Sequence, residues 1–304
     1  SDMFYQSRLR CGVGVAERTA PLAGLGIFPG RSICAINTGP LAPRCYREGD
    51  IGTSRVNLID AIVAVCVAAQ TVAGGNARAA IITPYAAQAQ LARTLAREVG
   101  LSEKQVSVST VHRFQGSEQD VVIFVPCEGY PQSRIGYLSD MRAFDTESIA
   151  ARLLNVAISR ARGKVMLVGD TTCIHERLTA NAPLRQLLAL ADERSALLHG
   201  TWDQLDQQGL LPQQIFGDSI TLAKGGGFLS PRDLHKKCMR AERYLIACLT
   251  PDTVVPDSWL TIPDTIRPGV VCLYGGQPKL DSFASQFQGG SKFWGTSGSC
   301  ESLL

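Results

Sequence analysis

The chain has 304 residues, 45% hydrophobic and 19% charged, which excludes global disorder and leaves ample material for a core. Its 30 Lys and Arg against 27 Asp and Glu leave a formal net charge of +3. Bulk positive charge is thereby excluded as a route to nucleic acid, and any such binding must rest on local groups.

The opening Ser1-Asp2-Met3 has the look of a cloning remnant, and no apolar signal segment follows it. "SICAINT" (32–38) is a short apolar strand followed by a Gly/Pro-rich loop. From Asn57 to Ala73 apolar residues recur at helical spacing, and Gly74-Gly75 supplies the stop. Asn57, Asp60 and Gln70 interrupt this most apolar stretch, so it reads as a buried helix and not a membrane span. "RAAIIT" (78–83) is a strand, and Pro84 opens the helix "YAAQAQLARTLAREVG", which ends at Gly100. "VSVST" (106–110) and "VVIFVP" (121–126) are β-rich runs of strand length. A helix over Ala150–Ser159 leads into another buried strand, "KVMLVGD" (164–170).

Strand and helix in alternation predict an α/β fold, a mostly parallel sheet with helices on both faces. Ligands of such sheets bind beyond the carboxyl ends of the strands, which directs attention to the loops after Thr83, Thr110 and Val125. After Asp170 the pattern changes. Within 181–199, "APLRQLLAL" and "DERSALLHG" read as short helices, and the polar "TWDQLDQQGLLPQQ" reads as a linker. A second unit is expected from Ile215, with a strand at "SITLA", a helix over 231–242, the apolar run "RYLIACLTP" and the strand "GVVCLYGG". The last thirty residues, rich in Gly and Ser, are expected to be weakly ordered. The expected organisation is a domain over 1–192, a linker over 193–214 and a small α/β unit over 215–304.

The ten cysteines include no C-x-x-C pair, and several lie inside apolar runs such as "AIVAVCVAAQ". They read as buried, reduced thiols of a cytoplasmic protein and not as metal ligands.

Two segments carry candidate chemistry. In "VSVSTVHRFQGSEQDVVIFV" (106–125) a strand ends in Thr110, a polar loop turns at Gly116, and Glu118 precedes the next strand. Hydroxyls and free amides at a strand end suit phosphate oxygens, and Gly116 permits close backbone approach, although an ordinary capped turn has the same composition. In "RLLNVAISRARGKVMLVGD" (152–170), Arg160, Arg162 and Lys164 cluster before a buried strand. They are either a solvated, dipole-compensating helix end or a guanidinium aimed at a phosphate.

Together, "IITPYAAQAQLA", "STVHRFQGSEQDVVIF" and "LLNVAISRARGKVMLVGD" resemble the last three motifs of superfamily 1 helicases. The resemblance is to the 5′-to-3′ branch that includes the nonsense-mediated-decay helicase. Upstream, "FYQSRLR" (4–10) is similar to the segment after the first motif of that family's second motor domain. "SRVNLIDA" (54–61) is similar to a family helix start, with Asp60 where Glu is usual. About 170 residues are covered in the expected order.

This resemblance implies a RecA-like second motor domain, of the P-loop NTPase type, acting with a first RecA-like domain on ATP, Mg²⁺ and single-stranded DNA or RNA. It implies that Arg160 is an arginine finger for the γ-phosphate, with Gln115 linking its loop to the nucleotide or to the strand. Gly116 and Glu118 match positions that approach the γ-phosphate and ribose. Thr83, Tyr85, Thr110 and His112 fall where the family grips the single strand through phosphates, with base stacking. Arg113 and Arg162 serve either side, or pair on the surface with Glu118 or Asp120. The chain contains no G-x-x-x-x-G-K-[ST] phosphate-binding loop, so it is expected to be half of a motor and inactive toward ATP alone. "SDMRAFDTESIAAR" is longer than the family usually has before its Arg motif.

"GGGFLSPRDLHKKCMRAERYLIACLTPDTV" resembles the opening of a phospholipase-D-like domain, with His235, Lys237 and Glu242 mimicking the spacing of its H-x-K-x-x-x-x-D signature. Glu replaces Asp, no Gly-Ser-x-Asn follows at the right distance, and on a helix the three would not share a face. Two alternatives to a motor half therefore stand: a nucleic-acid-binding or docking module with a degenerate motor fold, and a phospholipase-D-like nuclease.

Overall fold

The computed structural model describes residues 14–41, 43, 45–47, 54–114, 117–129, 132, 134–139, 148–212, 215, 220–221, 244–248, 270–274 and 292–294. The chain divides into two units, one of Ser1–Cys45 with Ser54–Leu210 and one of Tyr46–Thr53 with Leu211–Leu304.

The first unit opens with α1 (Val15–Ala23), which the sequence pattern did not announce, and β1 (Ile33–Asn37). Two short strands, β2 (Cys45–Arg47) and β3 (Arg55–Asn57), precede α2 (Leu58–Val72). Asn57 caps α2 by accepting a hydrogen bond from Asp60 N at 3.1 Å. The helix is apolar almost all round because it is buried almost all round, including Ile59, Ile62, Val65 and Cys66. β4 (Ala79–Thr83) leads through Pro84 and Tyr85 into α3 (Ala86–Glu98), and Gly100, at φ +76°, ends the helix in the left-handed region. β5 (Val106–Thr110), a 3₁₀ turn at Val111–Phe114 and β6 (Gln119–Phe124) follow. Ser148 caps α4 (Ile149–Ile158) by accepting from Ala151 N at 3.0 Å. Then come β7 (Ala161–Gly169), α5 (Thr171–Arg177), α6 (Pro183–Glu193), β8 (Leu197–His199) and α7 (Trp202–Gln207).

Six strands form one sheet in the order β5-β4-β6-β7-β1-β8, every pairing parallel. Alternate residues sort to opposite faces. Ala35, Ala80, Ile82, Val122, Phe124 and Leu167 join the apolar sides of α4, α5 and α6 in one buried cluster. Ile36, Ile81, Ile123 and Met166 are equally buried on the other face, where α2 and α3 pack. Each such side chain contributes roughly 1.5–3 kcal/mol by leaving water. The sheet is thus covered on both faces, as the alternation predicts.

Three details differ from the sequence expectation. "DERSALLHG" is not a helix: Ser195 takes φ +52° at the end of α6, Ala35 N donates to Ala196 O at 2.8 Å, and β8 joins the free edge of β1. A free sheet edge overrides a local helical pattern here. The polar linker contains α7, capped by Thr201, and Gln70 Nε2 donates to Gln208 O at 2.6 Å. Lys164 is not part of a solvated helix end. It lies inside β7, buried, and donates to the carbonyls of Leu25 (2.6 Å), Ile27 (2.8 Å) and Phe28 (3.2 Å), pinning the turn after α1.

The second unit contains a parallel sheet of β9 (Ile220–Thr221), β10 (Tyr244–Cys248), β11 (Val270–Tyr274) and β12 (Lys292–Trp294), in the order β12-β11-β10-β9. The first three fall within the predicted strands, and β12 lies inside the Gly/Ser-rich end. The expected helix over 231–242, with His235, Lys237 and Glu242, lies outside the described residues.

Candidate functional site

Because the six strands are parallel, their amino ends share one edge of the sheet and their carboxyl ends the other. The candidate residues divide between these edges. Glu118 stands exposed just before β6 and Arg160 just before β7, and Gln119 N donates to Arg160 O at 3.0 Å, which locks the two strand starts together. Arg160 follows the end of α4, where the partial negative charge of the helix terminus favours a cation. Its Nε is buried and meets no hydrogen-bond partner among the described residues, as does the neighbouring Gln119 Oε1. An orphan donor in this position costs about 1–3 kcal/mol, which an incoming acceptor such as a phosphate oxygen would recover.

Arg162 is engaged instead. Its Nη1 lies 3.2 Å from Asp120 Oδ1, and Asp120 Oδ2 accepts from Arg78 N at 3.0 Å. Of the alternatives open from the sequence, pairing with Asp120 is the one the structure contains. Between Gln119/Ala161 and Val121/Lys164 the register of β6 and β7 shifts, so a bulge on β7 at Arg162–Gly163 re-aims the arginines. Gly163 is required there because a Cβ would lie 2.1 Å from Leu22 Cβ of α1. Gln115 and Gly116 lie outside the described residues.

Thr83, Tyr85, Thr110, His112 and Arg113 gather at the carboxyl edge. Thr83 is buried, and its Oγ1 accepts weakly from Tyr85 N at 3.4 Å. Thr110, at the end of β5, is half-buried. In the following 3₁₀ turn Val111 and Phe114, three apart, face the core, which leaves His112 and Arg113 exposed.

Tyr85 does not offer an open ring. It is 2% exposed, its hydroxyl donates to Glu128 Oε1 at 3.0 Å and accepts from Tyr137 N at 3.3 Å. Arg55 lies 5.6 Å above its ring centroid and forms a buried ion pair with Glu128. Gly136 N completes the carboxylate's shell at 3.0 Å, and Arg55 Nη2 donates to Arg134 O at 2.8 Å. Burial pushes Glu128 up to about 7 against the pull of Arg55, and burial beside that carboxylate raises the Tyr85 hydroxyl well above its ordinary value.

Sequence reasoning missed Arg55, Glu128 and Tyr137, which lie in separate segments with no motif between them. It also missed the role of Asp60. Fully buried, Asp60 accepts from Thr38 Oγ1 at 2.7 Å, and desolvation raises its carboxyl well above the ordinary range. Its Oδ2 and Asn57 Nδ2 have no partner among the described residues. The sequence signals were its place in "SRVNLIDA", where the resembled family usually has Glu, and its position three residues after an Asn cap.

Among the described residues no cluster of His, Cys, Asp and Glu could hold a metal, and no helix is long and apolar enough to cross a membrane. Cys34, Cys45, Cys66, Cys127 and Cys173 are free and buried. Burial raises the Cys34 thiol to about 11 and that of Cys173 to about 12.

A family model described as an AAA domain matches residues 1–172. The sheet with helices on both faces is the RecA-like α/β fold that accords with this match. The chain is 28% identical over 214 residues to the ATP-dependent helicase NAM7 of Saccharomyces cerevisiae, covering 67% of this chain and 20% of that protein. It is 29% identical over 160 residues to a regulator of nonsense transcripts 1 homolog of Arabidopsis thaliana, covering 50% of this chain and 12% of the relative. It is 34% identical over 95 residues to helicase sen1 of Schizosaccharomyces pombe, 31% of this chain and 5% of the relative. The chain thus spans a fifth or less of the length of these curated relatives.

Proposed function

The chain belongs to the AAA-domain family whose model it matches, and on that premise we propose that it is the second RecA-like motor domain of a superfamily 1 ATP-dependent helicase or translocase. In this reading the amino edge of its sheet faces ATP held by a first RecA-like domain, and the carboxyl edge grips single-stranded nucleic acid.

The observation that carries the reading is Arg160: a guanidinium with a buried, unpartnered Nε, at a strand start shared with the exposed Glu118. As an arginine finger it would neutralise charge on the transferring phosphoryl group, an effect worth about 10³–10⁵ in turnover. Gly116 and Glu118 would approach the γ-phosphate and ribose, and Gln115 would link that loop to the nucleotide or to the strand. Mg²⁺ would be held by the first domain and would supply neutralisation of charge on the phosphates. Thr110, His112 and Arg113 would meet phosphates of the strand, while Thr83 and Tyr85 would support that surface from beneath. Arg162, held by Asp120, would steady the bulge. Lacking a phosphate-binding loop, the chain alone would not hydrolyse ATP.

The test is Arg160→Ala in a protein that joins this chain to its first motor domain. ATP turnover stimulated by single strands is expected to fall by about 10³-fold or more, with strand affinity retained within a few-fold. Near-normal turnover would sink the assignment and favour a docking module that has kept the fold without the motor.

A further inference from the structure

The sequence resemblance places Tyr85 among the residues that grip the single strand, through phosphates and with base stacking, but the fold encloses that ring and presents another. Tyr137 is 45% exposed where Tyr85 is 2% exposed, and the two rings lie 5.3 Å apart, tilted by 39°. We propose that Tyr137 is the residue on which this domain stacks a nucleobase of the bound single strand, with Tyr85 as its buried support. The proposal rests on the reading of the carboxyl edge as the strand-binding side.

Three observations carry it. First, Tyr137 lies on the connection after β6, whose carboxyl end is at the same edge as Thr83, Thr110, His112 and Arg113. Second, the backbone beneath Tyr137 is held by buried groups at three of the four residues 134–137. Arg134 O accepts from Arg55, Gly136 N donates to Glu128, and Tyr137 N donates to the Tyr85 hydroxyl. A ring held this way binds without first having its backbone ordered, which spares affinity. Gly136 makes the approach feasible, since a Cβ there would lie 1.8 Å from Tyr85 Oη. Third, among the described residues the exposed large apolar side chains are Tyr137 and Ile149, and Ile149 begins α4 at this same edge. An exposed aromatic face at the same sheet edge as a hydroxyl, an imidazole and a guanidinium is the composition a single strand needs, a base platform on the side of the phosphate donors.

The experiment measures binding by the two-domain protein to a fluorescein-labelled oligothymidine and to an equally long abasic oligonucleotide. Tyr137→Ala is expected to weaken oligothymidine binding about ten- to hundredfold and to leave abasic binding unchanged. Tyr137→Phe, which keeps the ring and guards against a folding defect, should bind within about twofold of wild type. The salt dependence should keep its slope in all three, because no phosphate contact is removed. If Tyr137→Ala binds oligothymidine normally while Arg113→Ala weakens it, the strand-binding edge stands and the Tyr137 platform falls. Equal wild-type affinity for both strands also overturns stacking. If wild type binds neither strand, the platform and the underlying reading fall together.

Discussion

Glu128 receives Arg55, the Tyr85 hydroxyl and Gly136 N in a site closed to water, and desolvation leaves it titrating at about 7 instead of near 4.5. Between those values the folded protein holds a proton that the unfolded chain has released. The stability this group supplies is therefore complete below about pH 4.5 and is lost as pH rises through 7. The gap corresponds to about 3 kcal/mol. Urea unfolding of wild type should show that much more loss between pH 5 and 8 than Glu128→Gln, which cannot titrate. Asp60 shifts in the same direction, chiefly by desolvation and only in lesser part through the Glu128 charge, so most of its contribution is common to both proteins. Parallel pH profiles would show that Glu128 is ionised throughout. Lys164 is the opposite case of burial: desolvation lowers its pKa, yet three carbonyls receive its ammonium, so it acts as a fastener for the turn after α1.

At the scale of elements, the bulge in β7 joins packing to chemistry. A register shift against β6 places Arg160 and Arg162 at the strand start, and α1 closes on the bulge so tightly that Gly163 has no room for a side chain. Gly163→Ala should therefore displace α1 or the bulge and destabilise the first unit by about 1–3 kcal/mol. In the two-domain protein it should also depress ATP turnover more than strand affinity, since the displaced groups lie at the amino edge. Unchanged turnover together with unchanged stability would show that the bulge absorbs the methyl group. The connection between β5 and β6 is a second such device. The 3₁₀ turn anchored by Val111 and Phe114 follows the carboxyl end of β5, and Glu118 stands at the amino end of β6, so only a short stretch of chain separates the two candidate surfaces. Neither device is written in a local pattern: a bulge is a relation between two strands, and a crossover is a relation between two edges.

For the whole molecule, the first unit closes its own core on both faces of a six-stranded sheet. Residues 1–210 should accordingly unfold in urea as one cooperative transition, with far- and near-ultraviolet circular dichroism coincident. Separate transitions would mean that the two faces of the sheet are not one core. Much of this architecture was legible in the residues themselves. Apolar runs such as "RAAIIT" and "VVIFV" mark strands because a strand buried on both faces must be apolar throughout, and β1, β4, β6 and the buried part of β7 fall on such runs, while the half-buried edge strand β5 falls on the β-rich "VSVST". The placement of Glu118 and Arg160 beside strand starts was legible too, because each lies within a few positions of an apolar run. The tertiary structure alone decided which groups are enclosed and which edge each one occupies. Tyr85 reads as a surface aromatic until Glu128, Arg55 and Tyr137 arrive from separate segments to bury it. "DERSALLHG" reads as helix until the free edge of β1 claims Leu197–His199. Local sequence determines the period of hydrophobic burial, whereas enclosure and pairing are set by partners distant in the chain, and those become neighbours only in the fold.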